Sequence, residues 1–370
     1  MSKRRQNGEG TIYQRKNGLW VCELTVGYDK DGRRIKKTLS SMDIEALKRK
    51  INDNKYELDR GIIYDSKNLT LNEWINEWLN TYVQGKVKSS TYDNYEYAWK
   101  SHIEKRIGSF KLDKITPLVI QSFINKMTQE GYSVSTIKKP YIVLNQAFKK
   151  ALLNKLVYTN PCSGISFPKP TPRKVVAMTS EEQREFESIC QDTTYGNLFL
   201  FALNTGMRLG ELLALTWSDV DMDCKEIHVK NTVVTVIDRN ENAVRKTREE
   251  INSAKTDSGV RVIPMTNKAH DILQKQQKRA GVFCFESANG TILERRNVKR
   301  ALRQLLEKTD IQTKVTMHVL RHSFAPRLLE KGANIKAVSE ILGHKSIQIT
   351  LDTYSHVLKD FKNDTINLLN

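Results

Sequence analysis

No apolar run in this chain of 370 residues can cross a bilayer; the longest, Leu198 to Leu203, falls far short of the roughly 20 residues a membrane helix needs. The opening residues, Met1 to Gly8, carry charge with no apolar stretch behind them, so no secretory signal is expected. Cysteine is sparse and unpatterned. Cys22, Cys162, Cys190, Cys224 and Cys284 are odd in number, far apart and never in a Cys-x-x-Cys pair, which speaks against a disulfide framework and a zinc site. No Gly-x-x-x-x-Gly-Lys-Ser/Thr loop occurs, so ATP is not implicated. Proline is scarce, and four of the eight fall between Pro161 and Pro172.

What is abundant is positive charge. Sixty Lys and Arg face 42 Asp and Glu, a net +18. Such an excess favours a polyanionic partner, nucleic acid before anionic membrane, because no basic amphipathic helix stands alone at either end. Hydrophobic residues at 39% suffice for real cores, and the length suggests two or three domains. Residues 1–40 hold ten Lys/Arg against four acids, a third of the net charge in a ninth of the chain.

Four regions are expected. Residues 1–66 read as a small α+β domain: β-rich segments at Gly10–Gln14, Trp20–Val26 and Arg34–Leu39, separated by turn signals, then a helix from Met42 to Asp59. Arg15, Arg33, Lys36 and Lys37 beside Tyr13 and Trp20 fit contact with a DNA backbone; a solubility-enhancing cap is the plainer alternative. Residues 67–160 read as an all-α unit of four helices, opened by a capping box at Thr70 and Glu73, with Lys86, Lys88, Lys138 and Lys139 among its surface cations. Residues 161–174 form a Pro-rich linker whose basic end, Arg173 and Lys174, could follow a phosphate backbone. Residues 175–370 form a mainly helical domain with a small β-sheet. Its helix cap is expected at Ser180, its strands at Glu226–Lys230, Thr232–Ile237 and Val260–Pro264, and Asp238–Asn252 reads as a protruding charged insertion.

The chemistry concentrates in that last region. Arg208 follows a helix stop at Asn204-Thr205-Gly206 and lies between two apolar helices, where a guanidinium needs an anion. Glu211, one turn on, can supply it, and on these residues alone a buried structural pair reads as well. Lys255 sits on a tight turn, a position where most lysines have no role. Thr316 can cap a helix whose first turns carry His318 and Arg321 on one face, an arrangement suited to a phosphate. His344 follows a second helix stop at Leu342-Gly343, and Tyr354 stands ten residues later. Taken singly, each histidine can be a core residue and Tyr354 a packing aromatic. Together they offer arginines to hold phosphate oxygens, a phenol to attack, and Lys or His to move protons, with no carboxylate cluster for Mg²⁺.

The series Met207-Arg208-Leu-Gly-Glu211, Lys255-Thr-Asp-Ser-Gly-Val-Arg261-Val-Ile-Pro264, His318-Val-Leu-Arg321-His322, Leu342-Gly-His344 and Tyr354-Ser-His356 resembles the tyrosine recombinases, the phage-integrase family, from about residue 69 onward. The front domain is more loosely similar to the arm-site-binding domain of integrases from phages and conjugative transposons. The resemblance implies a core-binding helical domain and a catalytic domain at the C-terminal side. It also implies site-specific integration and excision of a mobile element through a 3′-phosphotyrosyl link, without metal, nucleotide or other cofactor. Tyr354 would be the nucleophile. Arg208 and Arg321 would hold the phosphate, His318 would move protons, His344 would bond the phosphate, Lys255 would protonate the leaving oxygen and Glu211 would support Arg208. Implied partners are double-stranded DNA at core and arm sites, three further copies in a synaptic tetramer, an excisionase and a host DNA-bending protein, in the bacterial cytosol. A type IB topoisomerase and a catalytically dead DNA-binding regulator are the alternatives; the arm-type front domain and the intact residue set weigh against them. One departure stands out: Pro326 occupies a helix-interior position where the family usually has Thr.

Overall fold

The computed structural model describes residues 11–28, 34–59, 68–170, 176–191, 193–253, 259–277 and 281–354. The chain divides into two compact units, Met1–Pro170 and Thr171–Asn370.

The first unit begins with an antiparallel sheet in the order β1 (Thr11–Gln14), β2 (Trp20–Tyr28), β3 (Arg34–Ser41), followed by α1 (Ile44–Asp59). Alternation along β2 turns Cys22 and Leu24 to one face, where Leu47 and Ile51, four apart on α1, close a small core. The helices are α2 (Leu71–Trp78), α3 (Ser89–Ala98), α4 (Glu104–Ile107), α5 (Pro117–Gln129) and α6 (Val134–Leu153). Thr70 and Glu73 form the expected capping box. The expected Thr91–Ile107 helix runs as α3 and α4 joined through a π turn, Trp99–Ile103. Trp74 and Trp78 are buried in this core, and the Trp74 indole N–H donates to the Ala147 carbonyl at 3.0 Å, so its burial leaves no polar atom unmet.

The second unit runs α7 (Ser180–Cys190), α8 (Gly196–Thr205), α9 (Leu209–Ala214), β4 (Val220–Asp221), β5 (Glu226–Val229), β6 (Asn231–Ile237), β7 (Thr247–Ser253), β8 (Arg261–Pro264), α10 (Asn267–Gln276), α11 (Arg295–Leu306), α12 (Met317–Glu330) and α13 (Ile335–Leu342). A last helical stretch, α14, covers residues 347–354. The α7 cap is Thr179, one residue before the expected Ser180, because Thr179 can bond the Glu182 N–H while Glu182 returns the bond. Strands β4, β5 and β8 form one sheet, and β6 and β7 form a separate hairpin. The charged stretch 238–252 is therefore not all insertion: its second half is β7, in register Val233↔Ile251 and Val234↔Glu250. Charge hid this strand from the periodicity argument; across the ladder Glu249 accepts from the Thr235 hydroxyl at 3.0 Å.

The main core gathers α8, α9, the small sheet and α10 around Phe199, Phe201, Leu212, Leu213 and Ile227. A smaller cluster of Phe324, Ala325, Leu329, Val338, Leu342 and Tyr354 joins α12, α13 and α14. Helix α12 continues unbroken through Pro326 to Glu330, although the ring removes the N–H that would bond the His322 carbonyl. An interior proline costs about 3 kcal/mol. Pro326→Thr is expected to stabilise the protein by at least about 1 kcal/mol of that cost, read as a raised denaturation midpoint, with cleavage undiminished. A lowered midpoint would mean that α12 is packed around the ring.

Candidate active site

Two helix ends build the site. Helix α8 stops because Gly206 takes the left-handed conformation at φ 65°, and α13 stops in the same way at Gly343, φ 63°. Helix ends leave carbonyls without intrahelical partners, and they carry the negative pole of the helix. Guanidinium groups take them up. Arg321, buried on α12, donates from Nη1 to the Gly206 carbonyl at 2.8 Å and from Nη2 to the Leu342 carbonyl at 2.6 Å. Arg208, just before α9, donates from Nη2 to the Gly343 carbonyl at 2.8 Å. Arg261, at the start of β8, donates from Nε to the Ile341 carbonyl at 2.6 Å.

One buried carboxylate ties two of the three together. Glu211 accepts Arg208 Nη1 at 2.7 Å and the Arg208 backbone N–H at 2.9 Å. It also accepts a fork from Arg261, at 3.1 and 2.8 Å. Burial alone would raise its pKa, but the hydrogen bonds and charge of Arg261, with Arg208, hold it at about 2. Burial, then the Arg208 charge, lowers the Arg321 pKa to about 9, still protonated at neutral pH. Three guanidiniums against one carboxylate leave a concentrated positive site suited to a phosphodiester.

The imidazoles stand around this cluster in their neutral form. His344 shares a 2.7 Å hydrogen bond from Nδ1 with the hydroxyl of buried Thr350, which fixes its ring. Its pKa falls to about 4 through burial and then the charges of Arg321 and Arg208. His318 shows an edge on the first turn of α12, which Thr316 caps. Partial burial, followed by the charges of Arg321, Lys299, Arg295 and Arg208, lowers its pKa too. Tyr354 is 1% exposed; its hydroxyl lies 3.0 Å from His322 Nδ1, and burial raises its pKa to about 12 while Arg321 pulls the other way.

The structure therefore brings together Arg208, Glu211, His318, Arg321, His344 and Tyr354. Lys255 lies outside the described residues, as do Arg33, Arg173 and Lys174, and so does the Lys37 side chain. Among the other expected DNA contacts, Arg15, Lys86, Lys138 and Lys139 are exposed and Lys88 is half-buried. Lys36 is exposed but pairs with Glu23 at 3.3 Å. Lys86 lies over the Tyr82 ring and Lys138 over Phe167. Arg261 and His322 stand in the sequence motifs without a role of their own and Thr350 in none; their roles rest on pairings across the fold. The sequence does carry one further signal. Helix α11 buries Val298 and Leu302, four apart, and turns Arg296, Lys299, Arg300 and Arg303 to solvent.

The model of the phage integrase family matches residues 176–360, and that of the phage integrase N-terminal SAM-like domain matches 70–128. The chain belongs to the phage integrase family, the tyrosine recombinases. It is a site-specific DNA recombinase, an enzyme that breaks and rejoins strands in the integration of mobile elements. A XerC-like tyrosine recombinase of Caldanaerobacter subterraneus subsp. tengcongensis is 29% identical, with 96% of this chain and 97% of that protein covered. The ICEBs1 integrase of Bacillus subtilis is 23% identical over 94% of this chain and 95% of its own. Among solved structures, the Tn1549 transposon integrase in complex with circular intermediate DNA gives a TM-score of 0.67 at 25% identity, covering 82% of this chain and 100% of that one. A lambda integrase tetramer bound to a Holliday junction gives 0.58 at 20% identity, covering 93% and 94%, a likeness of fold.

Two outcomes follow from the arginine anchorage. A carboxylate held below its unfolded value of 4.5 stabilises the fold fully above that pH, and this contribution is lost as pH falls towards about 2. Glu211→Gln should thus cost about 3–5 kcal/mol at pH 7, because two guanidiniums lose their buried counter-charge, and should flatten the acid limb of the stability curve. Gly206→Ala should cost at least about 1–2 kcal/mol from the left-handed backbone alone. The added Cβ would also stand 2.6 Å from the Phe324 ring, three residues beyond Arg321, so cleavage should fall with stability. Unchanged melting in either variant would contradict the anchorage.

Proposed function

We propose that Tyr354 is the nucleophile and that Arg208 and Arg321 hold the scissile phosphate. The observation that carries the reading is the pair of guanidiniums held by the carbonyls of two helix ends, with the Tyr354 hydroxyl under the electrostatic influence of Arg321. In the forward step the phenol gives up its proton to the imidazoles of the site, the Tyr354 oxygen bonds phosphorus, and the bond to the 5′ oxygen breaks as that oxygen takes a proton. A 3′-phosphotyrosyl link and a free 5′-hydroxyl result, and rejoining is the reverse. Positive charge already in place stabilises the extra negative charge of the transition state. His318 is the proton-transfer group, His344 a donor to the phosphate, and Lys255 the acid for the leaving oxygen on the strength of the sequence. Glu211 holds Arg208 in position. No metal or cofactor takes part in this scheme.

DNA contacts are assigned to Arg15, Arg33, Lys36, Lys37, Lys86, Lys88, Lys138 and Lys139, to the linker cations Arg173 and Lys174, and separately to the exposed face of α11, whose Lys299 acts electrostatically on His318. The lambda integrase tetramer on a Holliday junction supports four copies and two duplexes as the working assembly. An excisionase and a host DNA-bending protein are further partners suggested by the family. Three domains and a Pro-rich linker, with boundaries at 66, 160 and 174, complete the proposal.

Tyr354→Phe should bind core-site DNA with near-wild-type affinity and form no covalent adduct on a nicked substrate. Arg321→Ala should lose both cleavage and phosphate engagement, and EDTA should leave the wild type active. A covalent band from Tyr354→Phe, or a strict Mg²⁺ requirement, would refute the scheme. Removing residues 1–66 should flatten the salt dependence of arm-site binding by about 0.9 for each phosphate that domain neutralises, while core-site cleavage survives. An unaltered slope would deny that domain its part.

A further inference from the structure

Among the described residues, the hydrogen-bond partner of the Tyr354 hydroxyl is His322, whose Nδ1 lies 3.0 Å away. The rings meet edge-on, with centroids 6.2 Å apart, and the His318 ring lies 6.4 Å from that of His322. His322 adjoins Arg321 on α12. Neighbouring positions on a helix diverge by about 100°, so one short, rigid piece of backbone carries two functions. The guanidinium is fixed by the Gly206 and Leu342 carbonyls, and the imidazole, turned away from it, reaches the phenol on α14.

Resting on the nucleophile assignment above, we propose that His322 is the positioning residue of Tyr354: its neutral Nδ1 accepts the hydrogen bond of the phenol and fixes which lone pairs of the hydroxyl oxygen face the phosphate. The direction of the bond follows from the two acids, since a phenol is a far better donor than a neutral imidazole N–H. The imidazole is neutral at physiological pH because burial, then the charges of Arg321 and His318, takes its pKa down to about 4. His344, across the site, is neutral as well. With the hydrogen committed to His322, the oxygen cannot rotate freely, and attack starts from one orientation. The apolar packing of the Tyr354 ring against Phe324, Leu342 and their neighbours positions the ring but leaves the hydroxyl torsion open. His322 closes it.

The test compares His322→Ala and His322→Asn in the full chain, on nicked core-site duplexes with a normal 5′ oxygen or a sulfur at the leaving position. A loss of orientation is worth roughly 10- to 100-fold in rate. His322→Ala should form covalent adduct slower by that factor on both duplexes while binding them normally, because better leaving-group chemistry cannot orient the nucleophile. His322→Asn, which can place an acceptor near the Nδ1 position, should recover most of the rate. Wild-type cleavage by His322→Ala, full rescue by the sulfur leaving group, or an Asn variant as slow as Ala would overturn the proposal. If His322→Ala fails to bind DNA, the Asn variant carries the test: it must be folded and active. Adduct formation by Tyr354→Phe would instead sink the nucleophile assignment itself.

Discussion

The carboxylate of Glu211 is the contact on which the site depends. It lies buried at the start of α9 and accepts from Arg208 three residues before it and from Arg261 fifty residues after it. Three like-charged guanidiniums gathered in a protein interior would repel one another and lose their hydration. One shared carboxylate and four backbone carbonyls at the ends of α8 and α13 make the gathering possible. The helix ends matter twice over, since the left-handed turns at Gly206 and Gly343 both stop the helices and aim their last carbonyls at the arginines.

Burial first, and the same positive charge after it, set the protonation state of the imidazoles. His318, His322 and His344 are all held neutral, and Tyr354 stays protonated because burial outweighs the attraction of Arg321. In the proposed mechanism a docked phosphodiester would cancel part of that charge and relieve the imidazoles, which would couple substrate binding to proton transfer. Helix α14 carries two of the connections at once: Thr350 orients His344, and Tyr354, one turn later, meets His322.

Much of this was legible in the sequence because Arg208, His318 and His344 sit at helix boundaries, and boundaries have local signals. Asn204-Thr205-Gly206, Thr316 and Leu342-Gly343 mark a stop, a cap and a stop, and each lies within two residues of Arg208, His318 or His344. Less legible were the pairings that need the fold. The bond of Arg261 to Glu211, of Thr350 to His344 and of His322 to Tyr354 follows no spacing rule. Strand β7 escaped because Arg248, Glu249 and Glu250 break its apolar alternation, and it is held by its ladder with β6. The cationic face of α11 was visible in Arg295-Arg-Asn-Val-Lys-Arg-Ala-Leu-Arg but carries no catalytic motif to draw the eye.

The central claim is that the phosphate is clamped between fixed guanidiniums so that Tyr354 becomes covalently bound to it. Trapping the protein on a nicked duplex from its own element's junction, digesting both partners and sequencing the linked peptide by mass spectrometry tests this most directly. One modified peptide is expected, with Tyr354 carrying a 3′-linked nucleotide. A nucleotide on any other residue, or a 5′-linked one on Tyr354, would contradict it.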